Sequence, residues 1–356
     1  MLKRFEKQYG IDLGTCNTLI YQQGKGIVLQ EPSVVAIRTD TAEIKAYGQE
    51  AYAMIGRTPA NIEIIYPLKD GVIANFDMTS AMLKHFIGKI NGKNYWFRSF
   101  QVFISVPCGI TNVQKRAVEE MILHKGARKS VTIEEPLAAA MGAGLPVAEP
   151  IGSMVLDIGG GTSQVAIISL GGIVVSEQIN RGGMSIDRDI IEYVKRKYNV
   201  IIGDRTAEKI KKNVATAVSI QKEMKMDISG NGLVEGLPKT ISISSNEIHE
   251  ILDDFFISIV GIIRLAMEKC PPELAGDVME RGILLCGGGA LLNGLDRRLQ
   301  NETGVPVHLA EHPMECIVAG TGKILNFNSD SIGRFAEAPR QNSSSEEHTG
   351  EEARTE

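Results

Sequence analysis

Two stretches of like form constrain this chain more than anything else in it. Tyr9 to Tyr21 holds Ile11-Asp12-Leu13-Gly14-Thr15-Cys16-Asn17-Thr18, and Met154 to Ser169 holds Asp157-Ile158-Gly159-Gly160-Gly161-Thr162-Ser163-Gln164. Each runs apolar residues into one Asp, then a Gly- and Thr-rich turn, then a second apolar run, Leu19-Ile20-Tyr21 or Val165-Ala166-Ile167-Ile168. That is the pattern of a β-hairpin whose turn passes close to something. Glycine permits the tight backbone and the close approach, and successive turn N–H groups make a concave anion site. An Asp alone at the end of an apolar strand suits a metal-bound water better than a core, although Asp is also a common turn-former. Two such hairpins, about 145 residues apart, point to a duplicated fold that clamps polyphosphate between its halves.

A duplicated fold of this kind needs two large lobes, and 356 residues supply them. Hydrophobic content of 43% and charged content of 23% belong to a soluble globular protein. Of the formal net charge of −5, −4 sits in the tail from Ala336, where Glu337, Glu346, Glu347, Glu351, Glu352 and Glu356 face only Arg340 and Arg354. The body is near neutral and carries no basic patch, which argues against nucleic acid. Cys16, Cys108, Cys270, Cys286 and Cys316 are scattered and odd in number, so a disulfide framework or zinc site is not expected. Met1 to Tyr9 lacks the apolar core of a signal peptide. The most apolar helical run, Phe255 to Ile263, is too short to span a bilayer.

Along the chain, strands are expected at 26–29, 33–37 and 101–106, with 38–75 mixed in character. Helical spacing at Met82, Phe86 and Ile90 predicts a helix over 78–90, capped near Asp77 or Thr79. Thr111 caps a helix to His124, Val131 to Ile133 is a short strand, and Glu134-Glu135-Pro136 opens an Ala-rich helix to about Ala143. In the second half, helices are predicted from Ser185 and over 206–217, with short strands over 220–243. Ser244-x-x-Glu247 is a capping box before one long helix through Met267, ended by Pro271-Pro272. Ile283 to Leu285 is a buried strand, Gly287-Gly288-Gly289 follows, then a helix to Glu302, a strand over 305–309 and a last helix over 316–325. The Ser/Glu-rich tail over 329–356 is expected to be disordered. Strand clusters alternating with helices predict an α/β sandwich in each half, with mixed sheets because each begins with a hairpin.

Asp12 and Asp157 are the pair placed to hold the water shell of Mg²⁺ on β- and γ-phosphates. At Gly287 to Gly289 backbone can approach a ligand and a helix N-terminus would favour an anion; tight strand–helix packing would need the same glycines. A full G-x-G-x-x-G and a P-loop are both absent, against a dinucleotide dehydrogenase or P-loop enzyme. Glu134 and Glu135 at a helix start either complement its dipole or present a carboxylate to an attacking water. Tyr95-Trp96-Phe97, among Lys89, Lys93 and Arg98, either begin the next strand or form a membrane-interface tip, with weak support from Leu2, Phe5 and Tyr9. The six histidines show no ligand spacing.

Taken in order, Gly10-Ile-Asp-Leu-Gly-Thr-Cys-Asn-Thr-Leu-Ile, Glu31-Pro-Ser-Val-Val-Ala-Ile, Gly56-Arg-Thr-Pro, Lys69-Asp-Gly-Val-Ile-Ala, Ile133-Glu-Glu-Pro, Asp157-Ile-Gly-Gly-Gly-Thr, Cys270-Pro-Pro-Glu-Leu and Gly287-Gly-Gly-Ala-Leu-Leu make a specific set. It closely resembles the bacterial actins of the MreB/Mbl type, within the superfamily of actin, sugar kinases and heat-shock chaperone ATPases, from about Gly10 to Leu325. The resemblance implies an actin-like, ribonuclease H-like duplicated fold with two lobes and four subdomains. Lobe I would span 1–147, with IA at 1–31 and 67–147 and IB at 32–66. Lobe II would span 148–315, with IIA at 148–181 and 246–315 and IIB at 182–245. A helix over 316–328 would return to IA. It further implies ATP or ADP with Mg²⁺ in the cleft, polymerisation of the chain with itself into paired protofilaments, and a cytoplasmic place on the inner face of the cytoplasmic membrane. Its partners there would be the membrane proteins of cell-wall elongation, and its role rod shape.

By residue, the resemblance assigns Asp12 and Asp157 to the metal side. Gly14, Thr15, Cys16 and Asn17, with Gly159, Gly160, Gly161 and Thr162, match the phosphate hairpins. Glu135 and Thr162 match the pair that positions the attacking water, Gly287, Gly288 and Gly289 the adenosine motif, and Gly182, Gly183, Glu208 and Lys211 the nucleotide's other side. Three departures stand out: Gln164, Asn213 and Met184 occupy positions where the family carries acids. Because Glu135 and Thr162 remain, slow hydrolysis is expected to survive. The alternatives are a nucleotide-bound scaffold filament with little hydrolysis, and a small-molecule kinase of the same fold.

Overall fold

The computed structural model describes residues 7–91, 100–124, 126–234 and 236–325. The first half opens with an antiparallel meander, β1 (Lys7–Leu13), β2 (Asn17–Gln22) and β3 (Gly26–Pro32). A small unit follows: β4 (Val35–Arg38), β5 (Ile44–Tyr47), α1 (Gly48–Met54) and β6 (Ile62–Ile65), its sheet ordered β5-β4-β6. The chain returns through a two-stranded ribbon, β7 (Leu68–Lys69) and β8 (Val72–Ile73), to α2 (Phe76–Asn91), β9 (Phe100–Val106), α3 (Asn112–Leu123), β10 (Ala127–Glu134) and α4 (Glu135–Ala143).

The second half repeats the plan with β11 (Ser153–Ile158), β12 (Ser163–Ser169) and β13 (Gly172–Ile179). Its inserted unit is α5 (Gly183–Tyr198), β14 (Val200–Ile201), α6 (Asp204–Val214), β15 (Lys225–Gly232) and β16 (Pro238–Ser244). Then come α7 (Ser245–Ile251), α8 (Asp253–Lys269), α9 (Pro272–Arg281), β17 (Ile283–Cys286), α10 (Leu295–Thr303), β18 (Val307–Leu309) and α11 (Cys316–Ile324).

The two large sheets share one topology. In β3-β2-β1-β9-β10 and in β13-β12-β11-β17-β18, three antiparallel strands are followed by two parallel ones. The fold is therefore a duplicated α/β architecture, each mixed sheet flanked by helices, as the resemblance implies. One apolar cluster fills each half, around Tyr9, Ile104 and Phe86 in the first and around Leu156, Ile190 and Phe256 in the second. A third joins them, with Phe103 and Ile133 from the first sheet, Val155 and Ala166 from the second, and Leu137 and Ile324 from α4 and α11.

That third cluster depends on α4 and α11 touching backbone to backbone. A Cβ on Gly320 would lie 1.8 Å from Ala138 O, and one on Gly142 would lie 1.8 Å from Cys316 O. Lys323 Nζ donates to Met141 O at 2.8 Å and Gly142 O at 3.0 Å, satisfying carbonyls at the end of α4.

Several elements differ from the sequence expectation. The predicted long helix after Ser244 is two helices, because Leu252 (φ −90°, ψ −2°) breaks the run between α7 and α8. Pro271-Pro272 ends α8 but also starts α9, since proline is at home in a first helical turn. The 220–243 region holds one substantial hairpin of β15 and β16 rather than short strands. The cap of α2 is Asn75, whose Oδ1 accepts from the Met78 N–H at 3.0 Å, rather than Asp77 or Thr79. Thr111 and Gln114 form a full capping box on α3. Tyr95, Trp96, Phe97 and the 329–356 tail lie outside the described residues.

Candidate functional site

The two hairpins close identically. The Gly14 N–H donates to Asn17 O at 3.1 Å, and the Gly159 N–H to Thr162 O at 2.9 Å. Registers correspond too: Asp12 stands opposite Leu19, and Asp157 opposite Gln164. Each hairpin is propped by a hydroxyl on its returning strand, Thr18 to Ser33 Oγ at 2.9 Å and Ser163 to Arg181 O at 2.7 Å.

Their turns face one another. A Cβ on Gly160 would meet Cys16 Sγ at 2.2 Å, and one on Gly161 would meet Thr15 Oγ1 at 2.8 Å. The β7–β8 turn joins them: Asp70 and Gly71 both take positive φ (50° and 78°), and the Gly71 N–H donates to Thr15 Oγ1 at 3.0 Å. Gly182 and Gly183 back the second turn, with the Gly183 N–H donating to Gly159 O at 2.9 Å and that of Met184 to Gly160 O at 2.8 Å.

Three carboxyls lie beneath the turns, Asp12, Asp157 and Glu135, with relative exposures of 8%, 3% and 6%. Ser105 Oγ donates to Asp12 at 3.1 Å, and the Cys286 thiol donates to Asp157 at 3.6 Å. Burial, with Asp157 beside it, pushes Asp12 up to about 7, and burial pushes Asp157 up to about 6. Burial, then Asp12 and Asp157, hold Glu135 well above the usual carboxylate range. Among the described residues no ion pair reaches any of the three. No group of three or more side chains there could cage a metal directly. Oxygen donors without a cage fit Mg²⁺, which keeps several of its waters.

On the far side of the turns, Lys211 Nζ donates to Gly183 O at 2.8 Å and pairs with Asp187 at 2.7 Å. Glu208, one helical turn before Lys212, pairs with it at 2.7 Å and accepts from Tyr52 Oη of α1. Gly287 (φ 82°) is pressed on the second hairpin, where a Cβ would meet Ile158 O at 2.4 Å and Asp157 Oδ1 at 2.6 Å. Gly289 packs on Ile158, and a Cβ on Gly288 would meet nothing within 4 Å. These glycines do not start an α-helix. They lead into a 3₁₀ turn, Gly288–Leu291, and α10 begins only at Leu295. The expected helix N-terminus at this point is thus corrected to tight packing plus one open glycine.

The profile of the family described as "MreB/Mbl protein" matches residues 6–332. The chain belongs to the MreB/Mbl family. It is 50% identical to "Cell shape-determining protein MreB" of Escherichia coli (strain K12), over 92% of this chain and 96% of that one. It is 47% identical to "Cell shape-determining protein Mbl" of Bacillus subtilis (strain 168), over 92% and 98%. Among solved structures it is similar to MreB 5 of Spiroplasma citri bound to AMPPNP, at 38% identity and a TM-score of 0.87 over 93% and 98%. The MamK double helical filament, at 18% identity and a TM-score of 0.76, shows the shared fold alone. The chain is thus an actin-like protein of a cell-shape-determining family.

Against the MreB/Mbl pattern, the three neutral positions part ways in the fold. Gln164 is fully buried beside Glu135, Met184 sits in the first turn of α5, and Asn213 is exposed on α6 with its amide turned back to Lys209 O at 2.7 Å. Sequence reading did not find Ser105, Asp187, Cys286 or Tyr52. Ser105 and Cys286 are ordinary strand residues, and only the pairing of β9 with β1 and β17 with β11 sets them beside an Asp.

Proposed function

We propose that this chain binds ATP between the two hairpins, hydrolyses it slowly, and polymerises with itself into paired protofilaments. The filaments lie on the inner face of the cytoplasmic membrane and, with membrane proteins of wall elongation, organise wall synthesis and rod shape. The observation that carries the nucleotide reading is the pair of facing glycine turns over three buried carboxyls. The family membership, the AMPPNP- and ADP-bound relatives of Spiroplasma citri and the cell-shape names of the bacterial relatives support the rest. Among the described residues no helix is long and apolar enough to cross a membrane, so the proposed attachment is peripheral. The four subdomains follow the boundaries given above, with the two small sheets, β5-β4-β6 and β14-β15-β16, as IB and IIB.

In this reading Glu135 and Thr162 hold the attacking water in line with the γ-phosphorus. The carboxylate accepts the water's hydrogen bond and takes its proton as the bond to phosphorus forms and that to the β–γ bridging oxygen breaks. Turn N–H groups over 14–17 and 159–162 steady charge on the phosphoryl oxygens, the Gly14 and Gly159 N–H being engaged in closing the turns. Asp12 and Asp157 would hold Mg²⁺, and the ion would supply positive charge against that of the phosphates. Lys211 and Glu208 face the nucleoside, with Gly182, Gly183 and Gly287 to Gly289 shaping the walls.

Sedimentation with ATP, ADP or no nucleotide, with phosphate release measured in parallel, tests this function. Polymer with release is expected. Polymer without release would favour the scaffold reading. ADP formed only with a small-molecule acceptor, and no polymer, would favour the kinase.

The mouth of the cleft also carries a clasp. Tyr52 donates to Glu208, and Arg205 reaches Ala53 O at 3.3 Å while lying 5.4 Å from the Tyr52 ring centroid. Tyr52→Phe removes one hydrogen bond of about 1 kcal/mol, so a fluorescent ATP analogue should dissociate about fivefold faster in a chase experiment. An unchanged rate would show that the clasp does not hold the cleft.

A further inference from the structure

Gln164 has no exposed surface, and a polar side chain that deeply buried must satisfy its groups internally. Its Oε1 accepts from the Cys108 N–H at 2.9 Å, and its Nε2 donates to Glu135 Oε2. A backbone N–H can only donate. It therefore fixes the amide with oxygen toward Cys108 and nitrogen toward Glu135. Asn is one methylene too short to hold both partners. Of the side chains with this reach, glutamine offers an acceptor at one end and a donor at the other.

The two partners come from the other half of the molecule. Cys108 follows β9 and Glu135 follows β10, both strands of the first sheet, whereas Gln164 lies on β12 of the second. The two bonds therefore exist only while the second hairpin is seated against the Cys108 loop. Pro107, just before Cys108, also touches the site, since a Cβ on Gly71 would lie 2.9 Å from its Cγ.

The geometry points to Gln164 as a positioning residue for hydrolysis, which acts through Glu135 by aiming its carboxylate into the cleft when the two sheets are closed together. This rests on the ATPase reading above. It departs from the simpler expectation that an amide at this position merely weakens the site. Here the amide is what holds Glu135 in place.

The test is a double-mutant cycle on the full chain with ATP. Gln164→Met, close in volume, loses both bonds. Gln164→Asn, one methylene too short to hold both partners, serves if the methionine variant does not fold. Each is expected to lower kcat for phosphate release about 10- to 100-fold, since small misplacements of a reacting group cost that much, with KM for ATP within about twofold of the parent. In the Glu135→Gln background neither should lower kcat further. A loss that multiplies in that background, or one carried by KM, overturns the proposal, because a merely structural residue would act without Glu135. A crystal structure of either variant gives a readout independent of hydrolysis. If Glu135 keeps its parental position there, the proposal falls even with hydrolysis intact. If Glu135 moves and the parent protein releases no phosphate, the positioning role stands and the ATPase reading falls.

Discussion

Glu135→Gln should reduce phosphate release at least about 10²-fold while ATP affinity stays within a few fold. The magnitude is that of losing a general base, and the asymmetry comes from the layout of the site. Phosphate binding in this reading rests on backbone N–H groups of the two turns, whereas the Glu135 carboxyl is hydrogen-bonded by the Gln164 side chain. Glu135 sits in the first turn of α4, buried, with Gln164 as its hydrogen-bond donor. The amide has the same shape, so the helix and its packing survive, but a neutral amide oxygen is a poor acceptor for a proton from water. Single-turnover phosphate release beside equilibrium binding of a fluorescent ATP analogue separates the two effects. With release slowed, polymer formed in ATP should persist longer in sedimentation. Release near the parental rate would remove Glu135 from the chemistry.

Gly320→Val should be strongly destabilising. Its Cβ would stand 1.8 Å from Ala138 O, a contact with rigid backbone that no rotamer relieves. The two helices would have to separate, yet α11 is also held down on the first sheet, where a Cβ on Gly10 would meet Thr321 Oγ1 at 2.3 Å and one on Gly322 would meet the Tyr21 ring at 2.6 Å. Overpacking of this kind costs about 3 kcal/mol or more, and for a chain of this size the melting temperature should fall by at least about 5 °C. Gly261→Ala on α8 is the control. Its Cβ would meet nothing within 4 Å, and the change should be neutral or stabilising by up to about 1 kcal/mol. Circular-dichroism melts of both variants decide the point. A Gly320→Val melt equal to the parent's would mean that α4 and α11 do not pack as described.

Much of the architecture was legible in linear order. Hairpins announce themselves by local pattern, because a strand alternates or runs apolar and a glycine turn interrupts it. Ile186, Ile190, Val194 and Tyr198 of α5 recur at helical spacing, and the first three are buried while Tyr198 is half-buried. The errors fell where a local signal had two outcomes. Pro271-Pro272 both ends one helix and begins another. The apolar run after Ser244 is continuous in sequence, and the break at Leu252 is a matter of two dihedrals that composition does not express. At Gly287 the strand and the glycines were read correctly, but the helix start was not, because a 3₁₀ turn uses the same small residues.

The candidate site divides in the same way. Asp12, Asp157, the glycine turns and Glu135 each lie within a short motif, and motif order alone names them. Ser105, Cys286, Asp187 and Tyr52 carry no such motif. Gln164 is the residue on which the two levels differ most. In the sequence it is only a position where the resemblance implies an acid.

By itself, then, the sequence determined a duplicated α/β chain with paired glycine turns, because turn chemistry and strand periodicity are local properties of neighbouring residues. Only the tertiary structure decided that the turns meet face to face, that Cys108 and Glu135 converge on one buried amide, and that α4 and α11 touch through glycine. Those are contacts between residues distant in the chain. They are set by which strands pair and by how closely two backbones can approach, and no linear pattern records either.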